Sequence, residues 1–140
     1  WEFFHSEHRQ QRTMRELHPV PYVQIHPDTA RELGINEGDW VWIENHRGKC
    51  KQVAKFNPTL HPKVVSAEHG WWFPEANPEE LFRVFDCNIN NLTPQGVNDQ
   101  TGYGAPYKSQ ICKIYKVTPE NEKPGANEIV TKMGGFGYVG

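Results

Sequence analysis

Trp40-Val41-Trp42-Ile43-Glu44-Asn45-His46-Arg47-Gly48-Lys49-Cys50-Lys51-Gln52-Val53-Ala54-Lys55-Phe56 is the stretch on which the fold turns. Residues 40–45 alternate, His46-Arg47-Gly48 has turn chemistry, and residues 49–56 return as a second strand, so the stretch reads as a β-hairpin. Upstream, Tyr22-Val23-Gln24-Ile25 is a further strand. It runs into His26-Pro27-Asp28-Thr29-Ala30-Arg31-Glu32-Leu33-Gly34, where Pro and Asp near the start and Gly at the stop predict a helix of about two turns. Residues 1–18 open apolar and continue polar without helical periodicity, which predicts a short strand and then a surface loop. Downstream, residues 64–68 and 110–117 read as strands, residues 81–85 as a short apolar stretch, and residues 94–106 as a Gly/Pro/Asn/Gln-rich excursion.

Composition agrees with many short strands. Twelve Gly and 11 Pro in 140 residues suit turns and exclude a helical bundle. The length allows one domain with a core, and seven Phe, five Tyr and five Trp supply large buried surfaces where aliphatics are few. A net charge of -2 lacks the basic field that nucleic-acid or anionic-membrane binding draws on. No stretch approaches the roughly 18 apolar residues of a membrane span, so neither nucleic acid nor direct membrane insertion is expected. The start at Trp1, with residues 1–5 reading as strand interior, is expected of a piece of a longer protein. Cys50, Cys87 and Cys112 form no close pair, as expected of reduced, packed thiols.

A free-standing enzyme would show a nucleophile with its base, a carboxylate pair or a metal cluster. No Ser sits in a GxSxG elbow, and neither a GxxxxGK[ST] nor a GxGxxG loop is present. His5 and His8 have helical ligand spacing, but no Cys or carboxylate completes a metal set. Cys50 lies between Lys49 and Lys51, yet on a strand those lysines face away from the sulfur.

Three features suit the binding of an anionic heteroaromatic group. His5-Ser6 with Arg9, Arg12 and Arg15 gathers donors and positive charge, against the alternative of a solvated loop. His69-Gly70-Trp71-Trp72 follows a strand and offers backbone amides and two indoles to a flat ring, against the alternative that one Trp plugs the core. Asn88, Asn90 and Asn91 present donor–acceptor pairs suited to a purine or pterin edge, and Lys108 a point charge for phosphate; Asn clusters also simply form turns.

Taken in order, these segments resemble the C-terminal cofactor-binding domain of the dimethyl sulfoxide reductase family of molybdopterin oxidoreductases. The resemblance is carried by Phe4-His5-Ser6, by residues 23–35, by Gly38-Asp39-Trp40-Val41-Trp42-Ile43 with Arg47-Gly48, by His69-Gly70-Trp71-Trp72, by Asn90-Asn91-Leu92-Thr93 and by Pro106-Tyr107-Lys108. It covers roughly residues 3–117. It implies a mainly β fold, a six-stranded double-psi β-barrel of the aspartate decarboxylase-like kind with short helices, over residues 1–118, followed by a Gly-rich tail over residues 119–140.

The resemblance also implies a function: helping to hold bis-molybdopterin guanine dinucleotide, carrying molybdenum or tungsten, inside a prokaryotic oxidoreductase. By position, His5 and Ser6 meet phosphate or pterin, His69, Gly70, Trp71 and Trp72 line the pterin, Asn90 or Asn91 bonds a ring edge, and Lys108 binds a polar group. The metal-ligating residue and any iron–sulfur cluster fall to other domains, so the piece alone is expected to be inactive. Its partners are those domains and electron-transfer subunits. Work in the cytoplasm and export by a twin-arginine signal are equally compatible. Trp40 and Trp42, opposite Val41 and Ile43, are expected to face outward as a docking surface. The rival reading is a free-standing double-psi barrel acting as an interaction or substrate-recognition module, which has no use for the 69–72 loop or Lys108. A small decarboxylase on the same barrel needs a Gly-Ser pair, and the sequence has none.

Overall fold

A computed structural model describes residues 7–94 and 110–122. His5, Ser6 and Lys108 lie outside the described residues. Five strands form one mixed sheet: β1 (Tyr22–Ile25), β2 (Trp40–Glu44), β3 (Lys49–Phe56), β4 (Val65–Ala67) and β5 (Lys113–Lys116), in the order β4-β1-β3-β2-β5. Short helices α1 (Arg12–Leu17), α2 (Pro27–Glu32) and α3 (Val84–Cys87) and two 3-10 segments, Pro78–Arg83 and Ile89–Leu92, complete a mainly β architecture.

The hairpin forms where its sequence predicts it. β2 and β3 pair antiparallel from Glu44↔Lys49 to Trp40↔Val53. Asn45 shapes the turn, its Oδ1 accepting from Arg47 N at 2.9 Å and its backbone N–H donating to Gly48 O at 3.0 Å. Gly48 is required by space: a Cβ there would stand 3.0 Å from the Asn91 carbonyl oxygen. β1 runs parallel to β3 and antiparallel to β4, so the chain crosses over between its first and third strands.

α2 is bounded by its own sequence. His26 Nδ1 caps it by accepting from Asp28 N at 3.1 Å, Pro27 sits at its start, and Asp28 pairs with Arg31 at 2.9 Å. Gly34 ends it at φ +66°. Ala30 and Ile35 from this unit join Val23, Ile25, Val41, Ile43, Cys50, Ala54 and Leu92 in the main core. A smaller cluster forms around Trp71 and Cys87, with Met14 and Phe73 packed against it.

Two expectations are corrected. Part of the polar stretch expected as a loop is the helix α1, stabilised by an Arg12–Glu16 ion pair at 2.8 Å and by Met14 packing on the Trp71 cluster. With one inward apolar residue in six, it shows no periodicity. Trp42 does lie on the face opposite the core residues Val41 and Ile43, yet it is buried and offers no open docking surface. Its indole N–H donates to Asn121 Oδ1 at 2.9 Å and the Lys49 ammonium lies 4.0 Å from its ring centroid. β5, paired with β2 at Trp42↔Tyr115, brings residues 118–122 back over this face.

Candidate functional site

β4 ends at Ala67, and the chain then turns through Glu68 into the 69–72 loop. Glu68 is the anchor at the loop's base. Its backbone N–H donates to Tyr22 O at 3.2 Å and to Gln52 Oε1 at 3.0 Å, and its carbonyl accepts from Gln52 Nε2 at 2.8 Å. Its carboxylate accepts from Tyr22 N at 3.0 Å and pairs with His18 Nε2 at 2.9 Å. Gln52 also donates to Cys87 O at 3.1 Å, so one buried amide joins β3, the loop base and α3.

The far end of the loop is held as well. The Cys87 thiol donates to Trp71 O at 3.6 Å, and Phe73 N donates to Phe82 O at 3.0 Å. Phe82 lies within Leu81–Arg83, three consecutive non-glycine residues at φ +49° to +55°. Each such residue is disfavoured by roughly 1–2 kcal/mol and persists where surrounding contacts fix it. Here those contacts include a bifurcated Arg83–Asp86 ion pair, at 2.9 and 2.7 Å, and the edge-on packing of Trp72 against Phe82 at 5.6 Å.

Between these anchors, His69, Gly70 and Trp72 are half-buried, and Gly70 has φ +70°. Trp71 is 0% exposed. Of the two indoles, Trp71 fills the core and Trp72 reaches the surface. Of the three arginines expected to gather positive charge for an anion, Arg9 is directed inward and the other two are taken up by neighbours on their own segment, a correction to the reading of an anion cluster. Arg9 is buried on Trp71, Arg12 pairs with Glu16, and Arg15 Nη1 donates to the carbonyls of Arg9 and Gln10 at 3.0 and 3.1 Å.

The Asn88–Asn91 turn sits on the same half of β3. Asn88 Oδ1 caps Asn90 N at 2.9 Å. Asn91 Nδ2 donates to Phe85 O at 2.6 Å and to Lys49 O at 3.2 Å, and Asn45 Nδ2 donates to Leu92 O at 2.9 Å. Asn91 therefore holds the turn to the hairpin, while the Asn90 side chain is exposed. The structure thus brings two of the predicted segments, 69–72 and 88–91, to the Lys49–Gln52 half of β3.

Both buried thiols are disfavoured as thiolates. Burial pushes Cys87 up to about 12 and Cys50 further still. Beyond the hairpin turn, a groove of about 740 Å³ is lined by residues 44–46 and 110–113. At its edge Glu44 pairs with Lys113 at 3.2 Å and accepts a hydrogen bond from the Tyr115 hydroxyl. Burial raises the Tyr115 phenol, and its bond to the Glu44 carboxylate raises it further. Sequence reading missed Arg9, Gln52 and Phe82 as loop supports. The signal for Gln52 was a polar residue at a position whose strand neighbours are core; for Arg9 and Phe82 there was none.

The donor set suits a pterin or guanine edge. A half-buried imidazole, an indole at the surface, an exposed carboxamide and a backbone turned by a positive-φ glycine are directional and heteroaromatic-compatible.

Comparison with known proteins identifies the family. The profile of the molydopterin dinucleotide binding domain matches residues 2–110. The chain is 43% identical to dopamine dehydroxylase of Eggerthella lenta over 119 residues, 85% of this chain and 12% of that protein. It is 41% identical over 80 residues to the thiosulfate reductase molybdopterin-containing subunit of Salmonella typhimurium, covering 57% of this chain and 10% of that one. Its structure matches acetylene hydratase from Pelobacter acetylenicus with a TM-score of 0.75 and 27% identity, over 83% of this chain and 17% of that one. The chain thus spans about an eighth of the dehydroxylase it matches. With most of its length matched by the profile and these relatives alongside, the chain belongs to the molydopterin dinucleotide binding domain family.

Proposed function

We propose that this chain serves a molybdopterin oxidoreductase catalytic subunit by holding part of bis-molybdopterin guanine dinucleotide, with molybdenum or tungsten, against the 69–72 loop and the 88–91 turn. The observation that carries the reading is the convergence of these two segments on one half of β3, each fixed by partly buried hydrogen bonds to that strand. A loop held before ligand arrives loses less conformational freedom on binding.

Within this reading His69 and Trp72 line the pterin and the Gly70 backbone approaches it closely. Trp71 contributes through its main chain, its ring serving as the inner post of the loop. Asn90 bonds a ring edge, and Asn91 sets the height of the turn. His5, Ser6 and Lys108 are assigned to phosphate and polar groups by their motif positions. When bound, the metal and its dithiolenes supply the redox or atom-transfer chemistry, and the protein supplies orientation and electrostatics.

The metal ligand, any iron–sulfur cluster and the docking of electron-transfer subunits belong to other domains of the parent. A six-stranded double-psi barrel over residues 1–118, with a tail over 119–140, is supported by the parallel β1–β3 crossover and by the likeness to acetylene hydratase. Identity that is higher and longer to the dehydroxylase than to the thiosulfate reductase favours a parent that acts as a dehydroxylase on a dopamine-like substrate, tested by assaying the full-length enzyme with dopamine against thiosulfate. The cofactor role is tested by His69→Ala/Trp72→Ala in the full-length subunit. Pterin and metal content per chain should fall well below wild type at unchanged folding; full content would remove the site.

A further inference from the structure

We infer that Arg9 is a positioning residue for the 69–72 loop: its guanidinium, lying over the Trp71 ring, fixes the loop in the form that meets the cofactor. The inference rests on the cofactor reading above.

Arg9 is 0% exposed although it lies in a polar segment outside any strand. Its guanidinium carbon stands 4.0 Å from the Trp71 ring centroid. Nη1 donates to His18 O at 2.7 Å and Nη2 to Pro19 O at 3.3 Å, and Glu75 Oε1 lies 4.0 Å from Nη2. The charge is therefore bracketed by the carbonyls before β1 on one side and by Glu75, just past the loop, on another, with the indole against its flat face. The chain from Trp71 to Glu75 folds around it.

Stability alone does not explain an arginine here. Removing a charge from water is unfavourable, and an apolar side chain of similar volume fills such a position without that penalty. What arginine adds is geometry: a planar fork reaches two carbonyls while its face lies on a ring. Lysine, a flexible point charge, cannot do both. The hydrogen-bonded anchors act on the backbone of Glu68, Trp71 and Phe73, whereas the Trp71 ring is held by Arg9 together with His18, 5.1 Å away between ring centroids, and Met14; of these Arg9 alone also ties the ring to the carbonyls of His18 and Pro19. With that ring locked inward, the next side chain, Trp72, remains at the surface beside Phe82.

The test uses the full-length subunit carrying Arg9→Met or Arg9→Lys, with His69→Ala/Trp72→Ala alongside. Three quantities are measured: pterin and metal content per chain, amide hydrogen exchange of peptides spanning residues 69–73, and Tm. Both Arg9 variants should raise exchange in that peptide by about tenfold and lower pterin content, with Tm within a few degrees of wild type. The lysine variant failing like the methionine variant separates the geometry from the charge. Unchanged exchange or unchanged pterin content in Arg9→Met overturns the inference. Low pterin in the His69/Trp72 variant beside full pterin in Arg9→Met overturns the role of Arg9 alone, whereas full pterin in the His69/Trp72 variant overturns the cofactor reading and the inference with it. Failure of both Arg9 variants to accumulate as folded protein assigns Arg9 to the fold and likewise overturns the inference.

Discussion

Gln52 and Glu68 are joined as two strands would be, except that one partner is a side chain: the Gln52 amide gives one hydrogen bond to the Glu68 carbonyl and takes one from its N–H. Gln52→Leu fills the space but leaves the carbonyls of Glu68 and Cys87 without this donor. Stability should fall by about 2–3 kcal/mol in urea denaturation. Gln52→Glu should fall further, because a carboxylate offers neither carbonyl a donor and buries a charge. A leucine variant as stable as wild type would show that these bonds are not what holds the loop base.

Gly48 and Gly34 are both constrained, for different reasons, and substitution should separate them. At Gly48 an added Cβ meets the Asn91 carbonyl, so Gly48→Ala should push the 89–92 turn off the hairpin. At Gly34 a Cβ meets nothing within 4 Å, and only φ +66° is at issue. Gly34→Ala should therefore destabilise by about 1 kcal/mol and Gly34→Asn by less, since asparagine tolerates this region better. Gly48→Asn should show no such relief. Thermal melts of the four variants give the comparison.

Asn90 and Asn91 should divide binding from folding. Asn91→Ala removes the donor to Phe85 O and Lys49 O and should lower stability by about 2 kcal/mol. Asn90→Ala, at an exposed position, should leave the melt unchanged and reduce pterin retained by the full-length subunit. The opposite pattern would transfer the ring-edge contact to Asn91.

Asp39 sets part of the acid limit of stability. Its Oδ2 lies 2.8 Å from Lys116 Nζ and accepts from Asn36 N at 2.8 Å; the Lys116 bond, then the Asn36 backbone bond, hold its carboxyl below the ordinary range. A folded pKa depressed in this way gives stability that is complete above the unfolded value of about 3.9 and is lost as pH falls through the folded one. Asp39→Asn should lower stability by about 0.5–1 kcal/mol at pH 7 and by progressively less below pH 4. A constant difference from pH 7 to pH 2 would rule this out.

The elements legible in the sequence are those whose causes are local. The β2–β3 hairpin follows from alternation and a turn at Asn45–Gly48, and α2 from Pro27, Asp28 and Gly34. α1 was not legible, because its one inward residue, Met14, is ordered by a Trp far along the chain. The left-handed run at Leu81–Arg83 carries no Gly or Asn to announce it and is set by packing against Phe73 and Trp72. For the candidate site, a strand followed by Gly70 marked where the loop lies, but which tryptophan turns inward depends on Arg9, 62 positions upstream of Trp71 in the chain. Gln52 was marked only by its polarity among core strand neighbours, and Arg9 was read as an anion donor rather than a loop support, because the loop partners of both lie far along the chain.

Trp42 shows where this unit can be cut. Asn121 receives the indole N–H and also accepts from Thr118 N at 2.9 Å, while Glu122 pairs with Lys51 on the adjoining strand. A recombinant fragment trimmed after residue 118 would lack this strap and bare an indole on the outer face of the hairpin. The practical boundary for excising the unit therefore lies beyond Glu122, and a shortened version is expected to clump through that ring while its core remains intact.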